Sequence, residues 1–314
     1  MREIGGYIEL DRYRGEMLHS DGVLLNCGRA CLKYLIRARG IKRIVLPYFC
    51  CETVGEACEQ EHVSIRYAHI DNDRTPEDVR LNDDEWLYVV DCYGQLDRAY
   101  VVELKQRYDR LIIDEAQNYF AEPVDGVDTI YTCRKFFGVA DGAILYTDAE
   151  LDEELPIDES FERMRFLLGR FERTANEFYG EYVENNAMFA DEPVKRMSKL
   201  TQNLLHGVDY KFVSARRTEN FERLHEAFEG VNQLTLTVPR GAFAYPLMLD
   251  NGAEIRRKLI EQKFYIPKLW SGVPTDCREH RLADNILPLP VDQRYDGDDM
   301  SYLINSVKSL IGGH

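Results

Sequence analysis

Between residues 23 and 147 short apolar runs alternate with amphipathic stretches, and this alternation constrains the fold more than any other feature of the chain. "CGRACLKYLIRARG" carries Ala30, Cys31, Tyr34, Leu35 and Ala38 at helical spacing and stops at Gly40, a helix C-terminal signal. "RIVLP" reads as a strand, 52–61 as a second helix and "VSIRYAHI" as a strand, followed by an acidic loop from Asp71 to Asp84. The strand "EWLYVVD", a helix over 97–108 and the strands "RLIID", "DTIYT" and "GAILYT" complete the series. Strands separated by helices make a mainly parallel sheet covered on both faces. Such sheets take their ligands beyond the carboxyl ends of their strands.

After about residue 150 the chain becomes long, charged and helical up to roughly 230. "GAFAYPLMLD" then reads as a strand, "AEIRRKLIEQKF" as a helix and "FYIPKLW" as a strand running into a loop. In "DDMSYLINSVKSLI", Met300, Leu303, Ile304, Val307, Leu310 and Ile311 form one helical face, with Asp298 or Asp299 as its cap. The 314 residues leave room for two α/β units, a large one over 1–215 and a smaller C-terminal one over 216–314. The N-terminal segment belongs to the large unit or packs on the small one.

The formal charge of −16 repels a phosphate backbone and argues against a nucleic-acid partner. Arg2, Glu3 and Glu9 interrupt the apolar core that a signal peptide needs. No run approaches the ~18 apolar residues of a membrane helix. A cytoplasmic protein is therefore expected. The eight cysteines form no CxxC pair and mostly adjoin apolar residues, as reduced core thiols do, and no metal site is expected.

Three features fall at strand ends of the large unit. Gly28 and Arg29 open the first helix, whose N–H groups and positive dipole end favour an anion, although a glycine there is also ordinary punctuation. In "LIIDEAQNYF", Asp114 ends a buried strand, where a carboxylate needs a partner. It either caps the next turn or meets a ligand, and Gln117 is either a surface glutamine or part of the same site. In "TCRKFFGVADGA", Lys135 lies between Arg134 and two phenylalanines, a setting expected to desolvate it and favour its neutral, nucleophilic form. An anion seat, a buried acid and a desolvated lysine together suit pyridoxal 5'-phosphate (PLP): phosphate on the helix, aspartate on the pyridine nitrogen, lysine on the aldehyde.

These stretches, with "LNCGRACLKYLI", "VLPYFCCETV" and "VVDCYG" before them, resemble the DegT-type aminotransferases of fold type I, PLP enzymes acting on sugar nucleotides. The likeness is strongest to a short subgroup with "GGYxEL" near its start and "RKFFGVxDG" at its lysine. "RMSKLT" and "AYPLMLD…KFYIPKLW" extend it over most of the chain. It implies a seven-stranded, mainly parallel sheet between helices, with Asp114 on the pyridine nitrogen, Gln117 at the ring hydroxyl and Lys135 as the Schiff-base lysine. It also implies Gly28 and Arg29 N–H groups on the phosphate, with the Thr132 hydroxyl beside them. At the ring-stacking position the register places Cys51 where longer relatives have an aromatic, with Phe49 or Tyr48 as alternatives. Where relatives send an asparagine to a neighbouring subunit, this chain has Lys195 and Arg196.

The implied reaction is ping-pong transfer of an amino group from glutamate or a similar donor to a keto group on a nucleotide-linked sugar, for surface polysaccharide or related biosynthesis. A homodimer is implied as well. The alternative is a silent, cofactor-binding or ligand-binding protein of the same fold. Trp270 and Tyr265 either stack on substrate or pack between the two units.

Overall fold

The computed structural model describes residues 4–71 and 75–312. Arg2, Glu3 and residues 72–74 of the acidic loop lie outside the described residues. The large unit runs β1 (Val23–Leu25), α1 (Gly28–Arg39), β2 (Arg43–Pro47), α2 (Glu52–Gln60), β3 (Ser64–Ala68), β4 (Glu85–Val90), α3 (Arg98–Arg107), β5 (Leu111–Asp114), β6 (Asp128–Thr132) and β7 (Ala143–Tyr146). One seven-stranded sheet results, in the order β1-β7-β6-β5-β4-β2-β3. Strands β3, β2, β4, β5 and β6 are parallel, while β7 is antiparallel to both β6 and β1. The expected mainly parallel sheet is present.

Alternation along the strands divides the core. Ile44, Leu46, Tyr88, Val90, Ile112 and Ile130 face α1 and α2, while Val45, Leu87, Val89, Leu111 and Ile113 face α3. Apolar residues on both sides of each strand are what a doubly covered sheet requires. Helix α1 ends where the sequence indicates, at Gly40 with φ 64°, and carries Arg37 and Arg39 in its last turn, where cations complement the dipole.

Beyond the sheet come α4 (Arg165–Glu172), α5 (Tyr179–Met188), α6 (Lys199–Leu205), α7 (Tyr210–Phe228), β8 (Ala244–Met248), α8 (Gly252–Glu261), α9 (His280–Asn285), β9 (Ile286–Pro290) and α10 (Gly297–Ile311). The N-terminal segment runs along α6: Tyr13 N–H donates to Asn203 Oδ1 (3.0 Å) and Gly15 N–H to His206 O (3.0 Å). Residues 215 and 216 both lie inside α7, so that helix is continuous across the expected division.

Two expectations for the C-terminal part are corrected. "FYIPKLW" is not a strand; the partner of β8 is β9, with the sequence ILPLP. The prolines Pro246, Pro288 and Pro290 fall on the pairs Pro246↔Pro288 and Ala244↔Pro290. Lacking N–H groups, they can occupy only the non-hydrogen-bonded pairs, so Tyr245↔Leu289 and Leu247↔Leu287 carry the ladder. Those four side chains also form the core under α7, α8 and α10. The cap of α10 is Asp296 rather than Asp298 or Asp299. Its Oδ1 accepts both of their N–H groups, and Asp299 Oδ2 accepts the N–H of Asp296 (3.1 Å), a reciprocal capping box.

Candidate active site

Asp114 is the last residue of β5, buried, and paired with Val90 on β4 and Ile130 on β6. Neighbours in register share a face, so its carboxylate lies on the α1 side of the sheet. Tyr88 Oη–H donates to Asp114 Oδ2 (2.8 Å) and Ala116 N–H to Oδ1 (2.8 Å). Burial, with Asp114 beside it, pushes the Tyr88 phenol well above its usual range, so it remains a donor. Asp114 thus does cap its own turn. A carboxylate has about four acceptor sites, and two are used here, which leaves capacity for one more donor.

The segment after β5 is a turn rather than a helix, so Gln117 is no helix-surface glutamine. It is buried, and its Oε1 accepts the N–H of Tyr93 (2.8 Å). Tyr93 sits in the turn after β4 with φ 62°, a left-handed conformation that a tyrosine adopts only when its surroundings enforce it. Trp270 supplies part of that enforcement, with its ring edge-on to Tyr93 at 5.5 Å.

Lys135 departs from expectation: it is exposed, not desolvated. In its turn Cys133 O accepts the N–H groups of Phe136 (3.0 Å) and Phe137 (2.9 Å), and both rings go into the core. The lysine between that core and Arg134 therefore points out, its Nζ 5.5 Å from the Phe243 ring centre. The turn itself is fixed. Phe136 O accepts from Gln293 Nε2 (2.8 Å) and from Arg217 Nη2 (3.2 Å), and the Arg217 guanidinium is buried enough to lower its pKa to about 10.

The N-terminus of α1 faces the same end of the sheet. Its N-cap, Cys27, makes no side-chain capping bond, and the first turn carries no acidic residue. The Arg29 side chain turns away to donate to Asn186 O (3.0 Å), so only its backbone N–H stays at the helix N-terminus, the kind of place that favours an anion. A Cβ on Gly28 would lie 4.0 Å from Ile130 Cγ2, and Thr132, two residues further along β6, lies on the same face as Ile130. The structure thus brings Gly28, Asp114 and Thr132 to one face of the sheet, with Lys135 in the turn that follows β6.

Of the three residues expected as candidates for ring stacking, Phe49 has no exposed face to offer a ring. It is fully enclosed and packs on Trp270 at 4.1 Å, so both are core residues between the sheet and the C-terminal part. Cys51 is exposed at the start of α2, its Sγ 3.1 Å from Thr53 Oγ1. Tyr48 stacks on Tyr67 (5.2 Å) and lies tilted against His69 (4.8 Å). Tyr265 is exposed. Lys195 pairs with Glu192 of its own chain, and the Arg196 backbone bridges Leu25 and Ile157.

"GVADGA" and "RMSKLT" prove to be two halves of one cluster. The fully buried Asp141 accepts from Ser198 N–H (2.8 Å), Ser198 Oγ (2.7 Å) and Thr201 Oγ1, and so binds the segment after Lys135 to the start of α6. Gly142 beside it has φ 120°, and a Cβ there would come within 3.1 Å of Thr201 and 3.2 Å of Cys133. Sequence reasoning missed Tyr88, Tyr93 and Asp141. For Tyr88 the signal is its place two residues before Val90, the strand neighbour of Asp114.

No protein-family model matches the chain, and no curated protein matches it by sequence. Solved structures do match. The sugar aminotransferase CalS13 from Micromonospora echinospora aligns with a TM-score of 0.63 over 91% of this chain and 86% of that one, at 18% identity. DesV from S. venezuelae gives 0.66 over 93% and 85%, at 14% identity. PseC from Helicobacter pylori, an aminotransferase involved in the biosynthesis of pseudoaminic acid, gives 0.65 over 93% and 86%, at 12% identity. At such identities what is shared is the fold. The chain has the fold of these aminotransferases over nearly all of its length.

Proposed function

We propose that the chain is a PLP-dependent aminotransferase that moves an amino group from glutamate or a similar donor to a keto group on a nucleotide-linked sugar. One observation carries this reading: a buried carboxylate, an uncapped helix N-terminus and a fixed lysine turn meet at the carboxyl ends of β5 and β6, in a chain with the fold of sugar aminotransferases. The set fits the cofactor, because Asp114 keeps acceptor capacity and the α1 N-terminus has no side chain of its own to satisfy it. When bound, the cofactor supplies an electron sink for the carbon that loses its proton.

Asp114 would hold the proton on the pyridine nitrogen, itself oriented by Tyr88 and the Ala116 N–H. Gln117 would meet the ring hydroxyl. The Gly28 and Arg29 N–H groups and the Thr132 hydroxyl would hold the phosphate, and Cys51 would line the ring side at the start of α2. Lys135 would anchor the cofactor and, released by the donor amine, take the proton from the donor Cα and later return one. In this reading residues 1–215 hold the cofactor and 216–314 form the smaller unit.

An isologous homodimer in the cytoplasm completes the proposal. Exposed apolar side chains on α4 and α5, among them Leu168, Phe171 and Tyr179, support a partner copy, and the exposure of Lys135 within one chain is consistent with a site that a second chain helps to cover. Among the described residues no helix is long and apolar enough to cross a membrane. PseC, with its place in pseudoaminic acid biosynthesis, supports a role in sugar biosynthesis.

Purified protein with added PLP is expected to show a visible absorption band that Lys135→Ala abolishes. No band, or the same band in the variant, would rule this reading out.

A further inference from the structure

Two carboxylic acids, Asp91 and Glu115, are buried together behind the residues assigned to the cofactor. Asp91 follows β4 and is fully enclosed, and Glu115 follows Asp114 and is 6% exposed. Their backbones sit in the same hydrogen-bond rows as the site: Asp91 N–H donates to Asp114 O (3.0 Å) and Glu115 N–H to Ile130 O (2.8 Å). Two carboxyl groups buried side by side at the ends of adjacent strands do not readily ionise together. Among the described residues neither makes an ion pair that would change this.

The hydrogen bonds decide which one keeps the proton. Asp91 Oδ1 accepts Leu96 N–H (2.9 Å) and Oδ2 accepts Asn118 Nδ2–H (2.8 Å), so both oxygens already have the donors a charged group needs. Glu115 Oε2 is buried with no donor. Burial and the negative charge of Asp91 both push the Glu115 carboxyl well above its usual range. Burial raises Asp91 as well, opposed by hydrogen bonds from Glu115, Leu96 and Asn118.

The pair joins the turn after β4 to the turn after β5. The first of these turns contains Tyr93, whose N–H holds Gln117, and the second begins at Asp114. We propose that neutral Glu115 is a positioning residue, which donates its acid proton to the Asp91 carboxylate and so fixes Gln117 and Asp114 for the cofactor ring. This inference rests on the PLP reading above. The other titratable groups facing the pair are Asp114 in the same turn, Tyr131 on β6, Arg98 at the start of α3 and Arg240 before β8. Arg98, Arg240 and Glu115 line one cavity of about 350 Å³, which gives the acid a route for exchanging its proton with solvent.

The sign of the pH effect follows. A carboxyl whose pKa is raised by folding contributes fully below its ordinary value of about 4.3, and its contribution is lost as pH rises through the raised value. Melting temperatures of the cofactor-free protein between about pH 5 and 9 should therefore fall more steeply for wild type than for Glu115→Gln, which keeps a donor but cannot ionise. At neutral pH, Glu115→Gln should hold its PLP dissociation constant within about threefold of wild type, while Glu115→Ala and Asp91→Asn weaken it by about tenfold or more. Parallel melting curves for wild type and Glu115→Gln would overturn the proposal, as would equal loss of affinity in the glutamine and alanine variants. Because melting is read without cofactor, it still judges the acid pair if wild type fails to bind PLP, an outcome that removes the PLP reading and the positioning role with it.

Discussion

The side chain of Asp114 caps its own turn and, in the proposed reading, also meets the cofactor, two roles that its sequence context presents as alternatives. It caps its own turn through the Ala116 N–H and still faces α1 with acceptor capacity left. Tyr88 makes this possible, since its buried hydroxyl donates to the second oxygen. Tyr88→Phe is expected to destabilise the fold by about 1–3 kcal/mol, the cost of leaving a buried acceptor short of a donor, and to weaken PLP binding. Denaturant titration and equilibrium dialysis would measure the two effects, and an unchanged affinity would show that Asp114 needs no orienting partner. The positions of Asp114, Gln117 and Lys135 at or beyond strand ends were legible in the sequence because each stands in a recognisable stretch there. Tyr88 was not, because its role depends on strand register. The expected burial of Lys135 failed for a related reason: two flanking phenylalanines indicate a core nearby, but they occupy it themselves and leave the lysine outside.

At the scale of elements, the alternation from 23 to 147 placed six of the seven strands of the large sheet, because periodicity and the helices between strands are local properties, and missed β1, which is only three residues long. Strand β9 was hidden by its two prolines, which normally argue against a strand, and only pairing shows that both fall where no ladder N–H is needed. The cap of α10 was placed too late in the chain because the reciprocal bond between Asp296 and Asp299 outweighs the nearer aspartates. The link from the lysine turn to α6 through Asp141 lay beyond any single stretch. Its two halves are separated by more than fifty residues, with |i−j| of 57 and 60 in the bonds that join them. Asp141→Ala should cost about 3 kcal/mol, since it strips the buried hydroxyls of Ser198 and Thr201 of their acceptor and loosens the start of α6. A change no larger than that of a surface substitution in thermal melts would contradict this role.

For the whole molecule, the parallel sheet, the antiparallel β7 and the separate β8–β9 layer bring residues from distant parts of the sequence to one end of the large unit. Cofactor chemistry is proposed there because an acid from β5, an anion seat from α1 and a lysine after β6 converge, whereas a charge of −16 leaves the protein as a whole no general attraction for phosphate. The chain carries many lysines, and among the described residues only Lys135 stands in the turn that follows β6. Incubation with PLP, reduction with borohydride and peptide mass spectrometry would test the assignment directly. A single cofactor addition on the peptide containing Lys135 is the expected result. Addition at other lysines, or none at all, would contradict it.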